Sequence, residues 1–272
     1  MRRVSLFLLV VVACGDDGGG SDTPDAPPTD NAPPGVCETT VPWASAPAMM
    51  LGPTQETATV AVAGKIYVVG GFTGAGATIT RAVQVFDTTT CAWSLGPELP
   101  KAVHHANVAE VGGTIFVVGA MQTINFTAIG DTWSWNPATE SAWTVQTPMP
   151  AGTQRGSAVT GVIDGKIYVV GGLRGGATTE VSIYDPVANT WAPSTALPQS
   201  RDHGCGGAVN GKLYLAGGRQ AQITTQSPIL YEFTPGGAWV ERAPMPTARG
   251  GTACGVIGDR LIVVGGEGNP AG

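Results

Sequence analysis

The chain has 272 residues, of which 40 are glycine and 21 proline, with 43% hydrophobic and only 12% charged side chains. Such a composition describes many short strands joined by tight turns, with no long amphipathic helix. The net charge of −6 overstates the acidity of the body, because residues 1–36 hold two arginines and five aspartates; the remaining 12 basic and 15 acidic groups give no electrostatic case for nucleic acid.

The chain starts with Arg2 and Arg3, an apolar run from Val4 to Ala13, and then Cys14. A run of ten residues is about half of what a membrane-spanning helix needs, so residues 1–13 read as a targeting segment. The run Val11-Val12-Ala13-Cys14 resembles the lipobox of bacterial lipoproteins. That resemblance implies a signal peptide, lipidation of Cys14, and a protein anchored at the bacterial cell envelope, at the outer rather than the inner membrane, periplasmic or surface-exposed. Stable anchoring needs more than one acyl chain, and lipoproteins of this kind carry several. Residues 14–36, with their run of Gly, Asp and Pro, form a disordered tether. As a coil it reaches about 25 Å, and extended up to roughly 70 Å.

From Trp43 onward the chain is periodic. Gly64–Gly71 (GKIYVVGG) returns as GTIFVVGA at 113–120, GKIYVVGG at 165–172, GKLYLAGG at 211–218 and DRLIVVGG at 259–266. Trp43, Trp93, Trp143, Trp191 and Trp239 follow in steps of 50, 50, 48 and 48. A period near fifty suits a four-stranded propeller blade.

The glycine doublet after an apolar strand, the aromatic-Asp pairs Phe86-Asp87 and Tyr184-Asp185, and the following Trp resemble the kelch family of β-propellers. The resemblance implies an all-β fold, a kelch-type propeller of four-stranded blades over residues 37–272. The expected blades are 53–100, 101–150, 151–198 and 199–246, with a partial closing blade of 247–272 plus a strand at 37–52. The missing aromatic-Asp strand in the last unit suggests an incomplete six-bladed ring, with a five-bladed ring closed by a three-stranded seam as the alternative. Gly119-Ala120, Trp135-Asn136, Phe233-Thr234 and Ile262 depart from the pattern, so their blades should form but be less regular. The motif residues themselves report fold and not chemistry.

Specificity must lie in residues that differ between repeats. Sixteen residues before each doublet stand Thr54, Val103, Arg155, Arg201 and Arg249; fourteen before stand Glu56, His105, Ser157, His203 and Gly251; just after it stand Phe72, Met121, Leu173, Arg219 and Glu267. In a kelch blade these regions open on one face near the central channel. Glu56, His105, Arg155, Arg201, Asp202, His203, Arg219, Arg249 and Glu267 are therefore expected to form a mixed-charge ligand-binding rim. Arginine forks suit carboxylates, phosphates and sugar acids. No metal site is expected, because Glu56, His105 and His203 come from different units and the channel should separate them. His104 should point away from His105, since neighbours alternate along a strand.

Cys205 with Cys254, and Cys37 with Cys91, are possible disulfides, with buried thiols as the alternative. No nucleophile-base pair, phosphate loop or dinucleotide fingerprint appears, so no catalytic residue and no cofactor is expected. The sequence points to a monomeric, lipid-anchored binding module for a glycan or protein partner. The alternative is a sugar-acid mutarotase, resembling the bacterial sialic-acid epimerase, in which Glu56 or His203 moves protons while arginines hold the carboxylate.

Overall fold

A computed structural model describes residues 46–74, 78–220 and 224–268. The targeting segment, Cys14, the tether, Cys37 and Trp43 lie outside the described residues. The described residues are all-β, in antiparallel sheets whose strand order follows the chain. Blade 1 comprises Ala58–Val62, Lys65–Val69, Val83–Asp87 and Ala92–Leu95. Blade 2 comprises Val108–Val111, Thr114–Gln122, Thr127–Trp135 and Thr144–Gln146. Blade 3 comprises Val159–Ile163, Lys166–Val170, Val181–Asp185 and Thr190–Pro193. Blade 4 comprises Cys205–Val209, Lys212–Ala216, Leu230–Phe233 and Trp239–Arg242. Blade 5 contributes Ala253–Ile257 and Arg260–Val264. The first strand of each blade packs beside the first strand of the next, which curves the set around an axis.

The apolar second strands of blades 1 to 3 are buried on both faces, as in Ile66 to Val69 and Ile167 to Val170, whereas in blade 5 Ile262 is exposed. A blade cannot bury its own faces, so the core lies between blades. Tyr67 of blade 1 packs edge-on against Trp135 of blade 2, and Tyr168 of blade 3 lies tilted against Phe233 of blade 4.

Two sequence signals act as joints. Gly71, Gly172 and Gly218 donate their N–H groups to the carbonyls of Val103, Arg201 and Arg249 in the following blade, at 2.8, 2.7 and 2.8 Å. A Cβ on the preceding glycine (Gly70, Gly171 or Gly217) would stand 2.5 Å from that same oxygen, which is why each doublet opens with glycine. At the outer edge, the indole N–H groups of Trp93, Trp143, Trp191 and Trp239 donate to the carbonyls of Pro47, Pro97, Thr147 and Thr195. Each tryptophan thus ties its strand to the preceding unit besides filling space.

Blade 2 is irregular in a specific way. The second glycine of the other doublets has φ between 90° and 109°, whereas Ala120 is not at positive φ. The strand therefore runs on to Gln122, and its partner starts early at Thr127, with a register shift between Ile129 and Thr132. Asn107 occupies the joint: its Nδ2 donates to the Arg155 carbonyl at 2.8 Å and its Oδ1 accepts from Ala158 N–H at 2.9 Å.

Candidate functional site

The column fourteen residues before each doublet shares one backbone state. Glu56, His105, Ser157, His203 and Gly251 have φ of 54°, 50°, 53°, 48° and 59°. Left-handed φ is uncommon for residues with a Cβ and persists where surrounding structure fixes it. Here a hydrogen-bond ladder does so. His105 N–H donates to Glu56 O (2.9 Å), Ser157 to His105 (2.8 Å), His203 to Ser157 (3.1 Å) and Gly251 to His203 (2.9 Å). Each blade therefore hangs its column residue on that of the blade before. The adjacent residue pairs with the segment after the doublet, as in the bridges His104–Met121, Asp202–Arg219 and Gly250–Glu267, so both expected site regions lie at one end of the propeller.

This ladder brings Glu56, His105 and His203 together. His105 Nε2 lies 2.8 Å from Glu56 Oε2 and 2.9 Å from His203 Nε2. Their candidate ligand atoms all fall within 4.8 Å of one another. The expected separation by the channel is corrected: left-handed turns at one level carry the side chains of blades 1, 2 and 4 to a common point near the axis. The prediction for His104 is corrected by the same turn, because φ of 50° at His105 breaks strand alternation. His104 Nδ1 lies 2.5 Å from His105 Nδ1, while its Nε2 lies 3.0 Å from Thr123 O. On the far side, His203 Nδ1 lies 2.5 Å from Asp202 Oδ1. Burial pushes the His104 pKa down to about 4 and lowers that of His105 against the opposing pull of Glu56.

The arginines divide. Arg155 and Arg201, expected on the rim, are 0% and 1% exposed and are corrected to structural residues. Arg155 donates to the carbonyls of Gly171, Thr153 and Val169 and to Ser182 Oγ. Burial lowers its pKa to about 10, which leaves it charged at neutral pH. Arg201 donates to Ser200 O, Gln199 and Ser227, and its guanidinium lies over the Tyr231 ring. A guanidinium committed to its own blade cannot also clamp a ligand. Arg249 bonds the Gly265 carbonyl at 2.7 Å, the counterpart of the Arg155–Gly171 bond. Arg219 of blade 4 is ion-paired with Glu267 of blade 5. That pair lies over Gly251, where a Cβ would meet Arg219 Nη2 at 3.7 Å and Glu267 Oε1 at 3.8 Å.

Two further features leave little trace in the sequence. The prolonged hairpin of blade 2 carries Phe126 against the rings of His104 and His105, at centroid distances of 5.0 and 5.1 Å. Phe126 is still 40% exposed and neighbouring Ile124 is 68% exposed. Ala120 in place of glycine was the available signal. In blade 3, Arg174 and Glu180 form a two-pronged ion pair at 2.8 and 2.9 Å beside a cleft of about 450 Å³ that Thr178 and Ser200 also line.

Cys205 and Cys254 form a disulfide between the first strands of blades 4 and 5, with Cα atoms 5.8 Å apart. Cys91 is also disulfide-bonded; its expected partner Cys37 lies outside the described residues. Among the described residues no helix is long and apolar enough to cross a membrane.

Residues 55–266 match the profile of the KLHDC2/KLHL20/DRC7 Kelch-repeats domain. Kelch-like protein terF of Aspergillus terreus is 34% identical over 247 residues, covering 84% of this chain and 54% of that protein. Kelch-like protein 35 of Mus musculus is 31% identical over 187 residues, covering 68% of this chain and 30% of that protein. The chain thus spans about half or less of the length of these relatives. Among solved structures, that of YjhT superposes with a TM-score of 0.74 at 16% identity, covering 84% of this chain and 81% of YjhT.

Proposed function

Because the chain belongs to the kelch-repeat family of β-propellers, we propose that it is a binding module that takes a glycan or protein partner at the channel mouth. The observation that carries this is the prolonged hairpin of blade 2, which holds Ile124 and Phe126 partly in solvent beside the polar cluster of Glu56, His105 and His203. An exposed aromatic next to fixed hydrogen-bonding groups suits a sugar ring or an apolar side chain. Phe126→Ala combined with Ile124→Ser should lower affinity at least tenfold for whatever ligand a glycan and protein screen selects. Unchanged affinity would remove the mouth from consideration.

Anchoring belongs to the same proposal. Arg2, Arg3, the apolar run and Cys14 support lipidation at Cys14 and residence at the bacterial cell envelope. Cys14→Ala should release the protein from the membrane fraction, and mass spectrometry of the N-terminal peptide should find acyl chains on Cys14.

A second function, as a sugar-acid mutarotase, draws support from the close contacts of Glu56 with His105, His105 with His203 and His203 with Asp202, which gather groups able to take up or give a proton at an anomeric centre. It loses its intended carboxylate clamp, since Arg155 and Arg201 are buried in their own blades. NMR anomerisation of sugar acids at no more than the background rate would exclude it.

A further inference from the structure

We propose that the channel mouth is a metal site in which His105 Nε2, His203 Nε2 and a carboxylate oxygen of Glu56 bind one divalent transition-metal ion.

A neutral imidazole carries one N–H, so a bond donated by one ring nitrogen leaves the other as a lone pair. Thr123 O can only accept, so His104 Nε2 carries the proton and its Nδ1 is a lone pair. His105 Nδ1 faces that lone pair at 2.5 Å and must donate to it, which makes His105 Nε2 a lone pair. On the other side the Asp202 carboxylate takes the Nδ1–H of His203, which makes His203 Nε2 a lone pair as well. The two lone pairs meet each other at 2.9 Å, and the Glu56 carboxylate meets the first at 2.8 Å. Three electron-rich atoms do not converge in a site this enclosed unless a cation lies among them. The side chains of His105 and His203 are only 2% and 6% exposed, and that of Glu56 is 21% exposed.

The surroundings fit a metal ion better than a shared proton. Asp202 on the far nitrogen of His203 is the carboxylate–histidine arrangement that fixes the tautomer and orientation of a metal-bound imidazole. His104 gives His105 the same kind of outer partner. With both ligand rings neutral, a dication at this point would face the carboxylates of Glu56 and Asp202, while Arg219 and Glu267 nearby form an ion pair of their own. Two imidazoles and one carboxylate suit Zn²⁺ and its first-row neighbours, whereas Ca²⁺ and Mg²⁺ prefer oxygen. Three protein ligands leave coordination positions for water or a ligand atom.

The full-length protein, stripped with chelator and titrated with Co²⁺ and then Zn²⁺, tests this without any substitution. The expected results are one Co²⁺ per chain with visible d–d absorption, its displacement by one Zn²⁺, and a rise in thermal midpoint on metal addition. Glu56→Gln and His203→Gln should each abolish the thermal shift, and Asp202→Asn should weaken metal affinity about 10- to 100-fold. Absence of stoichiometric uptake by folded wild-type protein overturns the proposal. So does uptake left unchanged by Glu56→Gln and His203→Gln, which would locate the ion elsewhere. Nitrogen NMR of metal-free protein showing one doubly protonated ring in the cluster, with no metal uptake, would assign the central cation as a proton and sink the metal site. Loss of metal uptake leaves ligand binding through Phe126 and Ile124 to be judged by its own affinity measurement.

Discussion

At the scale of single residues, similar side chains at equivalent positions do different work. His203 and His105 share a column and meet at the mouth, whereas Arg155 and Arg201 share a column and are sealed inside their blades. The difference is backbone direction: the histidine column turns left-handed and aims inward, while each arginine, two residues earlier, lies back along its own sheet. Asn107 shows what one polar group can replace. Its amide supplies the bond to the next blade that a glycine N–H gives elsewhere. Asn107→Ala leaves the Ala158 N–H without that partner in the joint, and should cost about 1–3 kcal/mol in denaturant unfolding. Asn107→Asp keeps the acceptor but adds a buried charge facing the Arg155 carbonyl, so it should be at least as destabilising.

At the scale of elements, each blade solves one local problem with the residues it has. The hairpin-end lysines Lys65 and Lys166 pair with Asp87 and Asp185; blade 2 substitutes Thr114 with Asn136, and blade 4 uses Lys212 with Glu232. Asp87, Asn136 and Asp185 each also accept the N–H two residues on, which fixes the turn into the fourth strand. Arg242, together with Lys212 and Tyr214, holds the Glu232 carboxyl down to about 2 from an ordinary 4.5. A carboxyl depressed on folding contributes stability above its unfolded pKa and loses it as pH falls through the folded one. Stability should therefore decline between about pH 4.5 and 2, and Glu232→Gln should flatten that decline in acid-unfolding curves. Ala120 stands where blade 2 departs from the other blades, its second and third strands running on past the doublet. Ala120→Gly should free the strand to kink as its counterparts do, raising hydrogen exchange in the hairpin that carries Phe126 while leaving blades 3 and 4 unchanged.

At the scale of the molecule, stability resides in joints between blades, so contacts across neighbours should govern cooperativity. The Cys205–Cys254 disulfide spans such a joint across 49 residues of sequence. Cys254→Ser should lower stability by about 2–4 kcal/mol, measured in denaturant under oxidising conditions, with blade 5 losing hydrogen-exchange protection first. The period of the glycine doublets and tryptophans was enough to identify the propeller, because those residues serve contacts that recur in every unit. Counting from the doublets also found the column of Glu56, His105 and His203. It could not show that their side chains meet, since strand alternation and separate repeats both argue for distance, and only left-handed turns stacked on one hydrogen-bond ladder overcome that. Nor could it sort inward side chains from buried ones, which is why Arg155 and Arg201 resembled rim residues. The sequence by itself determined the repeat, and with it the all-β blades and the level at which variable residues stand, because periodic contacts leave periodic residues. Only the tertiary structure decided which of those residues converge, because convergence depends on the curvature of the ring and the sign of φ at a few positions, and neither has a periodic trace in the chain.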